Sequence, residues 1–474
     1  MFFDILSFLS LTFLLFFIGT DRKYRNFSIA LAVASMIVLE ILSISFIKRS
    51  IDEYFIFFLM NIDIFHLTIT TKIIVLYYFT LFFIVLCVIF YVILKKVQIK
   101  RYKRIVINIC LIILILPNGF FYDIFHMLFV DYGVSYLKYK DKTYQEIFKL
   151  AKNEEYTIKD NLKILNKKEK HKNLVLIYLE SFDQSYLTDD NVKDYTKNIQ
   201  KLASENQFYN DIEQVKGCWG TVPGIICTQC GVQNISYFLI DNTYGKIRDT
   251  QLVCLPDILN KANYTQVFLG GADKKLFNKG NYLLSHQYDI VEDRDSLIQK
   301  DLSLEEKLSD WGVADYDIFD IAKKEYVNLS KQNKPFNLTI LTTATHSPNG
   351  LRDKRCKNSS ENKILNAAEC TDTLVGDFVN FLKKQKNYKD TTIIIMPDHR
   401  QFAMSSLNKL VDQEKEKLYF IVLNGDRKKD TVKDYTNLPN FILKTLNVKS
   451  NANFLSNEED DELVKNFIYK IHNK

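Results

Sequence analysis

The sequence predicts an α/β domain with a mostly parallel sheet between helices, preceded by an apolar region that crosses a membrane. Two observations support this division. Residues 2 to about 123 consist largely of Phe, Leu, Ile, Val and Tyr, whereas the rest of the 474 residues alternates short apolar runs with amphipathic segments. The mean hydropathy of -0.09 therefore averages two unlike parts.

The apolar region, residues 1–123, contains four runs long enough to cross a hydrocarbon core, which takes about 20 residues. The first run lacks a basic flank and a small-residue cleavage site, so it is interpreted as a span, with a cleaved signal peptide as the alternative. The four predicted spans cover about residues 2–19, 27–47, 73–94 and 105–121.

Two basic loops predict the orientation of this region. Residues 21–25 and 95–104 are rich in Lys and Arg, and such loops stay in the cytoplasm. With four spans, everything after residue 123 lies on the outer face of the membrane. The stretch 54–71 contains an Asn, an Asp and a His, which favours an interfacial or re-entrant helix, because a fifth span would invert the topology.

The cysteines agree with an exported domain. Cys87 and Cys110 lie inside predicted spans, and the other six lie in the polar part. An even number of cysteines outside the cytoplasm is typical of disulfides, with six reduced thiols in a cytosolic domain as the alternative. The six are Cys218, Cys227, Cys230, Cys254, Cys356 and Cys370.

The charge excludes one class of partner. The formal net charge of +6 is modest, and much of it lies in the two basic loops, so no nucleic-acid partner is predicted. The sequence also contains no internal repeat, no low-complexity tract and no Gly-rich phosphate fingerprint.

The polar part divides into a connector and a domain. Residues 124–170 are lysine-rich and helical in pattern and are expected to run along the membrane surface, and residues 171–474 form the α/β domain. Its continuous apolar runs with helical segments between them favour a parallel sheet covered on both faces. In such folds, ligands bind beyond the carboxyl ends of the strands. The predicted strands are 173–181, 265–271, 336–343, 391–399 and 418–425.

Four of these strands end in residues suited to metal or phosphate chemistry. Asp398 and His399 are adjacent at one strand end, where an oxygen and an imidazole nitrogen can bind the same cation, and Glu180 can add a second carboxylate. Three ligands leave one position open, and a hydroxyl bound there would lose its proton near neutral pH. The other polar residues at strand ends are Ser181, Gly270 to Asp273, Thr345 and His346.

The order of these residues resembles that of the membrane-bound transferases of the alkaline-phosphatase superfamily. This group contains lipoteichoic acid synthases, lipid A phosphoethanolamine transferases and phosphoglycerol transferases acting on periplasmic glucans, and the resemblance is greatest to the phosphoglycerol transferase I family. It covers about residues 173–400. The motifs are "YLESF" (178–182), "GTVPGIICTQCG" (220–231), "CLPDIL" (254–259), "LGGADKKLFNKGNYLLSHQYD" (269–289), "DWGVADYDIF" (310–319), "THSPNG" (345–350) and "PDH" (397–399).

This resemblance implies a metal site. Glu180, Thr221, Asp398 and His399 are expected to hold one divalent cation, Mn²⁺ or Zn²⁺, with Thr221 as the catalytic nucleophile. Threonine is a poor nucleophile in water, so the reaction needs a cation that lowers the pKa of its hydroxyl.

The segment around Thr221 is rich in glycine. Gly217, Gly220 and Gly224 are expected to let the backbone turn sharply and approach a phosphate. A helix beginning after Pro223 would direct its N-terminus at the anion.

The resemblance also implies the substrate contacts. His346 occupies the position that contacts the substrate phosphate or protonates a departing oxygen. Lys279 occupies the position of a basic, phosphate-binding side chain, with an exposed loop lysine as the alternative. Trp311 and Asp315 match a "WG..D" pattern and are expected to bind substrate, with packing as the alternative for Trp311.

The same relatives imply the cysteine pairs Cys218–Cys227, Cys230–Cys254 and Cys356–Cys370, although six cysteines allow 15 pairings. Two positions depart from the family. Ser347 stands where relatives often have a second histidine, and Pro397 stands in place of a serine. Ser347 is expected to alter how the acceptor is handled, so the acceptor is expected to differ from theirs, whereas Pro397 is expected only to shape the turn.

Together these features imply a multi-pass protein of the bacterial cytoplasmic membrane with its catalytic domain outside the cytoplasm. Its expected activity is transfer of phosphoglycerol from phosphatidylglycerol to a glycan through a phospho-threonine. The alternative is phosphoethanolamine transfer to lipid A or another glycan. A third possibility is a metal-free receptor with a catalytically inactive fold, which the presence of all four metal-site residues disfavours.

Overall fold

The computed structural model describes residues 159–215, 218–232, 253–402, 405–425, 432–452 and 454. The four predicted spans, the stretch 54–71 and residues 124–158 of the connector lie outside these residues. Within the described residues, no helix combines the length and the apolar character needed to cross a membrane.

The described part is built on one seven-stranded sheet of mixed direction, in the order β2-β7-β6-β1-β5-β3-β4. Strands β6, β1, β5, β3 and β4 run parallel, whereas β7 pairs antiparallel with both β6 and β2. The predicted mostly parallel α/β sheet is confirmed. The strands are β1 Asn173–Leu179, β2 Gln207–Ile212, β3 Thr265–Gly270, β4 Ile290–Glu292, β5 Phe336–Leu341, β6 Thr391–Pro397 and β7 Leu418–Leu423.

Helices cover both faces of this sheet. Long helices α7 and α8 pack together with α2 on one face, and α3 packs with α4 and α9 on the other. The α-helices of the described ranges are α1 Ser185–Thr188, α2 Lys197–Glu205, α3 Thr221–Cys230, α4 Leu255–Lys261, α5 Lys279–Ser285, α6 Arg294–Lys300, α7 Asp315–Ser330, α8 Lys363–Lys383 and α9 Leu438–Thr445.

Strand β1 is central and fully buried, which explains its unbroken apolar sequence. Side chains alternate along a strand, so Val175 and Ile177 enter the main hydrophobic core with Phe319 of α7 and Phe378 of α8. Tyr178 faces the opposite side, where its hydroxyl contacts the Thr228 hydroxyl of α3 at 2.6 Å.

All five predicted strands are present, and each ends one or two residues before its predicted end. The chain leaves the sheet there because the next residues turn. Ser181, just after β1, has a φ of 51°, in the left-handed region. The sequence did not predict β2, whose six residues lie on an edge, or β4, which has three.

The last twelve residues of the predicted connector, 159–170, pack on the domain. They contain a short 3₁₀ turn, Lys159–Asn161, and Ile164 forms a bridge with Ser450. Leu162 and Ile164 are buried. This part of the connector is therefore not helical throughout, and the packed domain begins before His171.

Candidate active site

Two adjacent parallel strands bring the predicted metal ligands together. In the register of β1 with β6, Leu179 pairs with Pro397, so the residues that follow, Glu180 and Asp398, leave the sheet side by side. The backbone NH of Asp398 donates to Leu179 O at 3.1 Å, which extends this pairing beyond the sheet. The strand ends thereby place three ligand groups at one point.

Glu180, Asp398 and His399 form a buried group whose ligand atoms lie within 4.8 Å of one another. His399 Nε2 lies 3.4 Å from Glu180 Oε1 and 3.6 Å from Asp398 Oδ2. Nδ1 of His399 contacts Arg400 O at 2.6 Å, so Nδ1 carries a proton and donates. In the described part of the chain, Asp398 Oδ2 and His399 Nε2 are buried and have no hydrogen-bond partner.

The electrostatics of this group favour added positive charge. Burial and the nearby charge of Glu180 raise the pKa of Asp398. Burial alone would also raise the pKa of Glu180, but the charges of His346 and His399 outweigh burial and lower it. Burial works to lower the pKa of His399, and the two carboxylates raise it. Two buried carboxylates beside one imidazole are the donor set of a divalent cation.

Thr221 is the first residue of helix α3, and its hydroxyl donates to Glu180 Oε2 at 3.1 Å. Gly220 precedes it with a φ of 99°, a conformation that favours glycine. The helix therefore begins two residues before Pro223, not after it as the sequence suggested. Proline is accepted within the first turn because an NH there has no intrahelical acceptor.

Gly224 has a different role from the one expected. A Cβ at this position would lie 2.1 Å from the backbone oxygen of Asp398, so only glycine lets α3 pack directly on the end of β6. Gly224 thus sets the distance between helix α3, which begins at Thr221, and the segment that carries Asp398. Gly217 lies outside the described residues.

His346 lies in the loop that follows β5, the strand on the other side of β1. Its Nδ1 contacts Ser347 O at 2.7 Å, so Nδ1 donates and a neutral ring has its lone pair on Nε2. The ring packs against Trp311, with centroids 3.9 Å apart. The charge of His346 acts to lower the pKa of Glu180, which associates this loop with the group of Glu180, Asp398 and His399.

Asp315 forms hydrogen bonds with the backbone of the loop that contains His346. Its carboxylate accepts hydrogen bonds from Thr343 N at 2.8 Å and Ala344 N at 2.9 Å, and from the Thr343 hydroxyl at 3.2 Å. Burial raises the pKa of this carboxyl to about 6. Asp315 thus contacts the backbone two and three residues before His346, and its expected contact with substrate stays a prediction.

Lys279 is almost fully buried at the start of α5, although the alternative interpretation from sequence was an exposed loop lysine. Among the described residues, its ammonium group has no hydrogen-bond or ion-pair partner. Burial lowers its pKa, while the negative charges of Glu180 and of nearby aspartates act to raise it. The expected phosphate-binding role of this lysine stays a prediction.

These features agree with the families that the chain matches. A family model described as Sulfatase matches residues 172–443, more than half of the chain. The chain belongs to the sulfatase family. The resemblance to the alkaline-phosphatase superfamily that the motifs predicted is thereby confirmed.

Several relatives of this sulfatase-family chain have names. It is 30% identical over 258 residues to a phosphoglycerol transferase I of Xanthomonas campestris pv. campestris, and the match covers 53% of this chain and 37% of that protein. A phosphoglycerol transferase I of Citrobacter koseri is 27% identical over 293 residues, covering 60% and 38%. The matched part thus spans less than half the length of these relatives.

One solved structure shares the fold of this sulfatase-family domain at low sequence identity. The lipoteichoic acid synthase LtaP of Listeria monocytogenes superposes with a TM-score of 0.52 at 16% identity. This match covers 68% of this chain and 81% of that one.

Three disulfides lie in the described part of this sulfatase-family domain, and two of them join residues of helix α3 to neighbouring segments. Cys218 bonds Cys227, on either side of Thr221. Cys230, the last residue of α3, bonds Cys254, and Cys356 bonds Cys370 of α8. These are the three pairs that the resemblance implied.

Sequence reasoning assigned no role to the residues that hold Glu180. The Ser181 hydroxyl donates to Glu180 Oε1 at 2.8 Å, and Ser181 N donates to Asp398 Oδ1 at 2.9 Å, so this residue orients both carboxylates. Thr342 accepts from Glu180 N at 2.9 Å, and Thr345 donates to Glu180 O at 2.5 Å. The available signal was their position directly after strands β1 and β5.

Proposed function

We propose that this protein transfers phosphoglycerol from phosphatidylglycerol to a glycan hydroxyl outside the cytoplasm, through a covalent adduct on Thr221. The observation that carries this proposal is the contact of the Thr221 hydroxyl with Glu180, within a buried group of two carboxylates and one imidazole. The names of the relatives in Xanthomonas and Citrobacter support the choice of the transferred group.

The residues present fit a divalent cation. Asp398 Oδ2 and His399 Nε2 are buried without hydrogen-bond partners, which is costly unless a ligand is bound there. Glu180, Asp398 and His399 would hold the ion, with Thr221 beside them, and both Mn²⁺ and Zn²⁺ accept such donors. When bound, the cation supplies positive charge that lowers the pKa of the threonine hydroxyl.

The chain's own residues then carry out a two-step exchange. The Thr221 hydroxyl gives up its proton and Oγ forms a bond to phosphorus, while the bond from phosphorus to the diacylglycerol oxygen breaks and that oxygen takes a proton. A glycan hydroxyl next gives up its proton and bonds to the same phosphorus, while the bond from phosphorus to Thr221 Oγ breaks and Oγ regains a proton. Lys279 would neutralise charge on the phosphoryl oxygens, and His346 would donate or accept the proton through Nε2.

Family membership alone does not indicate sulfate ester hydrolysis. A sulfatase nucleophile is formylglycine, made from the cysteine of a Cys-x-Pro-x-Arg segment, whereas the segment that begins at the nucleophile position here reads Thr221-Val222-Pro223-Gly224-Ile225 and has neither that cysteine nor that arginine. The side chain at the start of α3 is an unmodified threonine, which favours transfer through an ester of its hydroxyl.

Intact-mass analysis of the purified full chain tests this proposal. The protein is incubated with a divalent cation and vesicles of either phosphatidylglycerol or phosphatidylethanolamine. We expect a glycerophosphate-sized adduct that is absent from Thr221→Ala and present in the matched control Thr228→Ala, a threonine of the same helix. An ethanolamine-phosphate adduct would identify phosphatidylethanolamine as the donor, as in the phosphoethanolamine transferases. If neither an adduct nor cation binding were detected, the inactive receptor would be favoured.

A further inference from the structure

A second group of potential ligands lies at the opposite end of helix α3 from Thr221. It consists of Cys230 at the end of α3, Cys254 just before α4 and His286 just after α5. Their ligand atoms lie within 4.8 Å of one another, and all three residues are buried. We call this group, with Asp257, the Cys-His cluster.

The imidazole of this cluster is oriented as metal-binding histidines are. His286 Nδ1 contacts Asp257 Oδ2 at 2.6 Å, and Nε2 faces Cys254 Sγ at 3.6 Å. Asp257 in turn has Lys159 at 3.2 Å and accepts from Cys254 N at 2.8 Å. A carboxylate oxygen only accepts, so the contact with Asp257 places a proton on Nδ1, and Nε2 is the ring nitrogen that faces sulfur.

We propose that the Cys-His cluster, once its disulfide is reduced, is a binding site for a soft divalent cation of the zinc class. A dithiol reductant supplies two electrons and two protons, breaks the bond between the two sulfurs and leaves as a disulfide. The cation then binds both thiolates and His286 Nε2, and the two thiol protons pass to solvent.

The distance between sulfur and nitrogen fits this ion, and the two bonded sulfurs would move apart on reduction. Bond lengths of about 2.3 Å to sulfur and about 2.0 Å to nitrogen at a tetrahedral angle place S and N roughly 3.6 Å apart. Cys254 Sγ and His286 Nε2 have this separation in the structure. Asp257 supplies the carboxylate that commonly accepts from the second nitrogen of a zinc-bound imidazole.

The other two disulfides provide an internal comparison. Within the described ranges, neither Cys218–Cys227 nor Cys356–Cys370 belongs to a group of three His, Cys, Asp or Glu ligand atoms. A structural disulfide does not need a histidine buried beside it, because those two disulfides have no such histidine among the described residues. The feature is therefore specific to the junction of α3, α4 and α5, where the cation would hold the same helices that the disulfide joins.

Cobalt absorption spectroscopy of the full chain tests this proposal. Reduced protein, kept free of oxygen, is titrated with Co²⁺, and thiolate ligands report themselves by a charge-transfer band in the near ultraviolet. The carboxylate and imidazole ligands near Thr221 contain no sulfur and give no such band. We expect the band at one equivalent of thiolate-bound Co²⁺, its displacement by Zn²⁺ and its absence from oxidised protein.

Variants locate the site. His286→Gln is expected to weaken Co²⁺ binding at least about 100-fold, and Asp257→Asn about 10- to 100-fold, since the latter changes only an outer partner of the ligand. The double variant Cys356→Ser/Cys370→Ser should keep the band unchanged. Reduced wild-type protein without a band would overturn the proposal, as would a band that survives in His286→Gln but is lost when Cys356 and Cys370 are replaced.

Discussion

The two ends of helix α3, Thr221–Cys230, differ in how their buried polar groups are paired. At the Thr221 end, two carboxylates share one imidazole, and Asp398 Oδ2 and His399 Nε2 make no hydrogen bond within the described residues. At the Cys230 end, one carboxylate has two partners, since Asp257 contacts His286 Nδ1 through Oδ2 and forms an ion pair with Lys159 through Oδ1, and the sulfurs are bonded. One helix thus joins a site with excess negative charge to a junction in which the charge of the carboxylate is paired.

This difference separates residues that stabilise the fold from residues that serve the proposed reaction. Buried polar atoms without partners cost folding free energy and persist where a ligand repays that cost. A complete buried network stabilises the fold, and removing one member leaves the others unpaired. Equivalent substitutions at the two ends should therefore have opposite consequences for stability and activity.

The largest expected effect separates Asp398 from Asp257. Asp398→Asn keeps an oxygen for the NH groups of Ser181 and His399 but removes a ligand charge. Because loss of an outer partner alone costs about 10- to 100-fold in metal affinity, loss of this ligand should cost more than about 100-fold, with a matching loss of transfer. Calorimetric titration with Mn²⁺ and Zn²⁺ measures the affinity.

Stability provides the control for this comparison. Asp398→Asn removes one of two repelling buried carboxylates, so the metal-free variant should melt at or above the wild-type temperature. Asp257→Asn should bind the metal at the Thr221 end normally and melt lower, because His286 and Lys159 lose their charged partner. A lower melting temperature for both variants would contradict the proposed separation.

Lys279 extends the comparison of stability with activity to a positively charged side chain. Lys279→Met keeps the stem and removes the buried ammonium group, which has no partner among the described residues. Transfer should fall about 100-fold in kcat, as when one donor to a developing charge is removed, while the melting temperature rises. Steady-state kinetics and thermal unfolding on one preparation check both parts, and unchanged kcat would remove Lys279 from the site.

Gly224 tests whether packing at the Thr221 end is as tight as the geometry shows. In Gly224→Ala, the new methyl group meets the backbone oxygen of Asp398, which cannot rotate away, so unfolding should become easier by about 1–3 kcal/mol. The comparison variant is Gly280→Ala in α5, where the nearest atoms are Cγ and Cβ of Lys274 at 2.9 and 3.0 Å, a smaller overlap than that with the backbone oxygen of Asp398. Denaturant unfolding of both variants gives the difference, and equal stabilities would refute the close approach.

The sequence predicted the strands and the order of site residues because both are local properties. A buried parallel strand is a continuous apolar run, and polar residues such as Glu180 and Asp398 directly follow two of them. Contacts between distant segments could not be predicted in this way. The approach of Gly224 to Asp398, the support of the His346 loop by Asp315 and the orientation of His286 towards Cys254 depend on tertiary packing, which leaves no periodic signal.

The smallest expected effect concerns pH at the Cys230 end of the helix. Burial lowers the pKa of His286 below its ordinary value. Between the two pKa values, the imidazole is therefore protonated in the unfolded chain and neutral in the folded chain. Stability contributed by this residue is present above the unfolded pKa of about 6.5 and is lost as pH falls below it. Asp257 also has a lowered pKa, because the charge of His286 and that of Lys159 outweigh burial, and it acts in the same direction at more acidic pH.

The free energy of unfolding of wild-type protein should therefore decline more steeply than that of His286→Gln between pH 7 and pH 5, in denaturant titrations of oxidised protein. Parallel declines would mean that the imidazole is protonated in the fold, and a charged ring has no lone pair to direct at sulfur.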